Sequence, residues 1–455
     1  MSFPSRLRPD YLAAAALFLL LVTIAALFGG ASRMDVPVVT IVRIAAIIAG
    51  AFAVVFVPFE GYRVARGPLL LLGALIAYML LQILPLPPFV WRHLPGHEPI
   101  AAVADAIGTG QSWLAISISP LRTWNSLCAA LVPAGTLLVL CALARSQREI
   151  PLWTLIGVGL VSGVLGLMQI VSPAGSPLYL YEITNENSAV GFFANRNHQA
   201  VLLVSLFPML GAFVTMPQNA RARLPREMLA MMAALFLIPL VLVTGSRAGL
   251  LLMPIGILAG LLIALPRIRD LPRKYFLIGG AAAVVAVAAL IVAVVLQSRA
   301  QALTRLLASH GTGELRYEVL HPVWNMAVLF MPFGTGFGTF DPAFRMAEPY
   351  ELLRLSYLNH AHCDLLELIS DGGVPAIVIL LGFAFWWSRA AFGAWRAAST
   401  RSAVVLARTG SVVSGLFMLA SLTDYPLRTP LAALVFAVAV YWMSARREVE
   451  APLRG

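Results

Sequence analysis

The sequence predicts an all-α polytopic membrane protein of about twelve spans, and three observations carry that prediction. The 455 residues are 60% hydrophobic and 12% charged, whereas about a quarter of the residues in a soluble domain carry charge. Mean hydropathy is +0.85. Apolar runs near the length of about 20 residues that crosses a bilayer as a helix recur along the chain, among them 12–28, 228–243 and 276–296. The third observation is the placement of the basic residues.

Taken in order, the spans lie near 11–29, 36–58, 68–84, 123–143, 151–171, 198–216, 228–245, 248–265, 275–296, 374–388, 409–422 and 429–444. Arg6 and Arg8 precede the first run as they would in a signal peptide. A second apolar run follows almost at once, so the first is read as a retained span. With the N-terminus inside, the segments on that side, "GYRVARG", "RSQRE", "PQNARARLPRE", "PRIRDLPRK" and "ARREVEAPLRG" among them, hold 20 of the 32 basic residues and 7 of the 21 acidic ones. The remainder holds 12 and 14, so the net charge of +11 divides into +13 inside and −2 elsewhere. This is the positive-inside asymmetry. The basic residues are scattered over short loops and form no stripe, which argues against nucleic acid as a partner. Cys128 and Cys141 share one span about 20 Å apart along its axis, too far to bridge, and Cys363 stands alone, so no disulfide is expected.

Three loops on the outer side are long: 85–122, 172–197 and 297–373. The last ends in "LNHAHCDLLELISDGGVPA", residues 358–376. Read as one helix of 3.6 residues per turn, it puts His360, Asp364, Glu367 and Asp371 on a water-facing arc and His362 on the apolar one. His362 is then either a core histidine bonded to a carbonyl or a general base in a partly desolvated pocket. "DGGVP" closes that helix and starts the next span. Earlier in the loop, apolar spacing is helical from Leu315 to Leu329, with Arg316 at its start, where an ion pair with Glu314 or Glu318 is the ordinary alternative to a site role. "GTGFGTF" (334–340) resembles a phosphate-binding glycine loop but follows no strand, so it is read as a sharp turn at the membrane surface.

"TGSR" breaks an apolar stretch long enough for two spans and leaves Arg247 on a very short outer turn. There it either snorkels to lipid phosphates or grips a phosphate-bearing substrate, since guanidinium binds phosphate oxygens as a fork. "GFFANRNHQAVLL" places Asn195, Arg196, Asn197 and His198 at the outer end of another span. Helix capping explains one of these asparagines and leaves the rest of the cluster unexplained.

"TGSRAG", "ELRYEVLHPVWNMAV…PFGTGFGTF" and "NHAHCDLLELISDGGVPA" occur in the order and spacing of the O-antigen ligase and polysaccharide polymerase superfamily, which the chain resembles. "FFANRNHQA" and "SLTDYPLRTP" (421–430) look like it too, and the resemblance is strongest over about 190–430. It implies a GT-C-like membrane domain filling the whole chain, with loop 297–373 in the periplasm carrying site elements. The implied activity is that of a metal-independent, inverting glycosyltransferase of the bacterial inner membrane that works without a cofactor. Its donor would be a glycan on undecaprenyl diphosphate, and its acceptor lipid A-core or another lipid-linked glycan. Matched motif by motif, Arg247 and Arg316 would hold the diphosphate and His362 would activate the acceptor hydroxyl. Asn195, Arg196, Asn197, His198, Asn359, Asp424 and Arg428 are the further candidates for contacting substrate. The chain departs from the family in having Cys363 where asparagine often follows the histidine; that position reads as packing, so the assignment of His362 survives.

The alternative class is a transporter or flippase of lipid-linked glycan. Transporters place ionisable residues near the bilayer midplane, often within internal repeats. Here Arg43 is the one charge well inside an expected span and no repeat is evident, which favours an enzyme.

Overall fold

The computed structural model describes residues 9–57, 59–143, 147–173, 175–216, 223–268, 319–353 and 358–445. All of its regular elements there are helical, apart from one isolated bridge between Leu86 and Leu114. Among the described residues, ten helices are long and apolar enough to cross a membrane. In chain order the helices are α1 (Pro9–Phe28), α2 (Val39–Phe56), α3 (Arg66–Ile83), α4 (Pro88–Trp91), α5 (Glu98–Ala106), α6 (Pro120–Cys141), α7 (Ile150–Val171) and α8 (Arg196–Thr215). They continue with α9 (Arg223–Val243), α10 (Arg247–Ile268), α11 (Leu320–Leu329), α12 (Phe340–Ala347), α13 (Asp364–Arg396), α14 (Ser402–Ala420) and α15 (Pro430–Ala445). With α15, a shorter apolar helix, eleven of the twelve expected spans have a counterpart. The twelfth, 275–296, lies outside the described residues.

The apolar residues divide by partner. Leu19, Leu20, Ile44, Val54, Leu251, Leu258, Val378, Leu381 and Phe385 are exposed on the outer faces of their helices, the side that meets lipid. A core running from Ala14 to Ala445 fills the inside. Helix α8 is buried over the whole stretch from His198 to Thr215, as a helix apolar on every face must be. Its nearest neighbour is α10, and the approach depends on small residues. A Cβ on Gly211 would lie 2.3 Å from the Gly260 carbonyl oxygen, and one on Gly260 2.5 Å from that of Phe207. Lipid tails are as apolar as leucine, so close backbone packing of this kind supplies much of the attraction between membrane helices.

One end of the bundle gathers the irregular segments. Ala194 N–H donates to the Gly30 carbonyl, and Leu431 N–H to that of Gly29. Ile118 N–H donates to the Thr335 carbonyl, and Asp364 N–H to that of Ser421. Arg122 pairs with Asp341 at 2.8 Å. The ends of α1, α3, α7, α9 and α14 and the starts of α2, α6, α8, α10, α13 and α15 thus share this end, as alternating spans require. Arg43, the expected intramembrane charge, donates to Asn125 Oδ1 at 2.8 Å one turn below it.

Candidate active site

The start of α8 is a capped helix end turned into a polar site. Asn195, at φ −123° and ψ 125°, accepts the Asn197 N–H through its side chain at 2.9 Å. This is the expected N-cap, and it leaves the Asn197 side chain to donate to Asp424 Oδ2. The Asn195 amide reaches the same oxygen at 3.4 Å. His198, 1% exposed, has Nε2 3.7 Å from Asp424 Oδ1. Burial alone would raise the pKa of Asp424, but His198, the Asn197 amide and the Tyr425 N–H overcome it and hold the carboxyl well below the usual carboxylate range. Its stabilising contribution is therefore fully present above the ordinary carboxylate pKa near 3.9 and is lost as pH falls from there through the depressed value. Asp424→Asn should cost about 1–3 kcal/mol near neutral pH, and the difference in melting temperature from wild type should narrow below about pH 4.

The stretch ahead of α13 corrects the helical-face reading. Residues 358–363 are not helical; α13 begins only at Asp364, with Cys363 as its N-cap. Glu367 and Asp371 are 1% and 0% exposed, so that arc points into the protein, not to water. Their common partner is Arg428. Its Nε donates to Asp364 Oδ1 at 3.2 Å, Nη2 lies 3.3 Å from Glu367 Oε1, and Nη1 lies 3.9 Å from Asp371 Oδ2. Burial by itself would lower the arginine's pKa, yet three carboxylates hold it above its ordinary value. Sequence periodicity mistook the cluster for a solvated face because its cation comes from a segment about sixty residues away.

His360 is not a solvent-facing residue either. Its Nδ1 is 2.9 Å from Glu367 Oε1, and the Ala361 N–H donates to Oε2 at 3.0 Å. His362 has left-handed backbone at φ 52°, a conformation few non-glycine residues adopt. Around the Tyr425 ring stand three imidazoles: His360 at 4.4 Å, His362 at 5.3 Å and His198 at 5.4 Å between centroids. The NRNH, HAH and TDYPLR segments therefore converge on one spot. Asn359, half-buried just before the histidines, sits beside it in sequence.

The "TGSR" turn is as short as expected, with α9 ending at Val243 and α10 starting at Arg247. Gly245 takes φ 64°, and Thr244 and Ser246 brace the turn through Ser246 N–H to Thr244 Oγ1 and Gly249 N–H to Ser246 Oγ. Arg247 is exposed and has no ion-pair partner among the described residues. Arg196 comes to the same turn, its Nη1 3.6 Å from where a Gly245 Cβ would lie. Arg316, the other arginine assigned to the diphosphate, lies outside the described residues.

Residues 229–381 match the family model Wzy_C, described as O-antigen ligase. That segment resembles the O-antigen ligases. The match spans the "TGSR" turn, the glycine loop and the histidine segment, and it supports glycosyl transfer of the O-antigen ligase kind. No curated protein matches the chain.

Within the matched segment the glycine loop does something other than cradle phosphate. Gly334, Gly336 and Gly338 all have positive φ, but the loop's N–H groups are already taken. Thr335 N–H donates to the Ser370 carbonyl, Gly336 N–H to that of Asp371, Phe337 N–H to Gln82 Oε1 and Gly338 N–H to Asp371 Oδ2. Its partner is the kink in α13. Gly373 has φ 57° and ψ −146°, and a Cβ there would sit 2.2 Å from the Pro332 carbonyl oxygen. "GTGFG" and "DGG" are thus complementary backbones locked together, with Gln82 donating from α3 to the carbonyls of Phe333 and Asp371. The turn reading of "GTGFGTF" holds in this sense. Gln82 and Tyr425 were missed as site-building residues because their contacts lie far away in sequence, and Glu367 because it was read as water-facing. Among the described residues, no group of three or more His, Cys, Asp or Glu side chains is arranged to hold a metal ion.

Proposed function

We propose that this protein moves a glycan from undecaprenyl diphosphate to an acceptor hydroxyl at the periplasmic face of the bacterial inner membrane, as an O-antigen ligase or polymerase. The observation that carries the proposal is the convergence of three separated motifs around Tyr425, at the bundle end opposite the basic loops. His362 takes the acceptor's proton as its oxygen forms a bond to the anomeric carbon. The anomeric carbon–oxygen bond to the diphosphate breaks with inversion, and the electron pair leaves on the diphosphate. Arg247, with Arg196 beside its turn and Arg316 as the further cation, offsets the charge that develops there. Fixed cations aimed at developing charge are often the largest single contribution to catalysis, and they serve here without a metal. Asn195, Asn197, His198, Asn359 and Asp424 shape the surrounding polar wall.

Two measurements test this. Purified protein in proteoliposomes, given undecaprenyl-diphosphate-linked glycan, should extend lipid-linked glycan or load lipid A-core when either acceptor is supplied. Absence of transfer to both would end the proposal. In a cysteine-free background, an impermeant thiol reagent added outside cells permeabilised only at the outer membrane should label Ser112→Cys and spare Thr400→Cys, both exposed and at opposite bundle ends. Reversed labelling would put the site on the cytoplasmic side.

A further inference from the structure

His362 is pinned on both flanks by a single buried charge cluster. On the N-terminal flank, Glu367 takes the His360 imidazole through Oε1 and the Ala361 N–H through Oε2, so one carboxylate fixes the two residues immediately before His362. On the C-terminal flank, Asp364 N–H donates to the Ser421 carbonyl at 2.9 Å, and Asp364 Oδ2 accepts from Ser421 Oγ at 2.9 Å. Arg428 joins the flanks, since it contacts both Asp364 and Glu367. The residue held between them has the unfavourable φ of 52°. A strained conformation persists only where its surroundings over-determine it, and such positions gather at functional sites. The guanidinium of Arg428 is 19% exposed and turned toward three carboxylates, an orientation poorly suited to gripping a phosphate.

The geometry points to Arg428, Glu367 and Asp364 as positioning residues that hold the backbone of His362 in its left-handed conformation and so aim the imidazole at the acceptor. Arg428 is thereby assigned to the aim of the base and removed from the substrate contacts. The inference rests on the proposal that His362 is the base. It gives a physical reason for "SLTDYPLR" (421–428) and "HAHCDLLE" to lie together: the first supplies the cation and the carbonyl that tie down the second. A displacement of about 1 Å in a catalytic group can cost about a hundredfold in rate, so a clamp on the backbone of the base has a large lever.

The test uses full-length protein in nanodiscs and the variants Glu367→Gln, Arg428→Lys, His362→Ala and His362→Ala/Glu367→Gln. Donor binding is read with undecaprenyl diphosphate as the probe, separately from transfer. Glu367→Gln and Arg428→Lys should each lower kcat at least tenfold while donor affinity stays within twofold of wild type. The double variant should transfer no more slowly than His362→Ala alone, because Glu367 acts only through His362. Donor affinity falling in step with transfer, kcat staying at the wild-type value, or a double variant slower than His362→Ala would each overturn the assignment. Wild-type transfer by His362→Ala would instead refute the base itself, and the two failures are read on different variants.

Discussion

His362→Ala is expected to lower glycan transfer about 10²–10⁴-fold, the usual contribution of a positioned general base, while donor binding stays close to wild type. The two readouts separate because, in the proposed reaction, the base handles the acceptor's proton and the arginines the diphosphate. His360→Ala is the informative comparison. A solvated histidine would tolerate that change, as surface positions generally do. His360 is instead bound to buried Glu367 and packed on Tyr425, so its loss should cost transfer about tenfold through the loosened backbone of its neighbour. Full activity in His362→Ala alongside a dead His360→Ala would make His360 the base, with Glu367 as the carboxylate that orients it.

The membrane spans were legible because their signal is local. A run such as 12–28 or 248–265 declares itself by length and apolarity, and the turn at "TGSR" shows as a break within one long run. The cap at Asn195 was legible for the same reason. What misled was periodicity applied to 358–371. The 3.6-residue spacing of Asp364, Glu367 and Asp371 is real and helical, but it was extended backward over His360, where the chain is not a helix. Polarity was then taken for exposure. Buried carboxylates are tolerated only with a partner, and that partner, Arg428, follows only after two spans, α13 and α14. The glycine loop shows the same limit. Its composition announced a sharp turn, while its occupant turned out to be the α13 kink, which only tertiary contact reveals.

Arg247→Lys should cost about 10²–10³-fold in kcat/KM, comparable to removing one donor from an oxyanion site. Lysine is the discriminating replacement because the two roles open to Arg247 respond to it in opposite ways. A side chain that snorkels to lipid phosphates needs only a cation on a long stem, and lysine supplies that. A side chain that grips a diphosphate through a planar fork loses its paired hydrogen bonds when the fork becomes a point charge. The turn favours the second role. Gly245 in left-handed backbone and the Thr244 and Ser246 hydroxyls fix where Arg247 leaves the helix, and Arg196 approaches the same turn from α8. Arg196 brings a second guanidinium to that turn, which a bound dianion would engage as well. Arg196→Lys should therefore fall in the same direction. In both variants kcat should drop further than donor affinity, since charge on the diphosphate grows as the glycosidic bond breaks. Wild-type kcat/KM in both lysine variants would remove these arginines from the donor site and leave Arg247 as a lipid anchor.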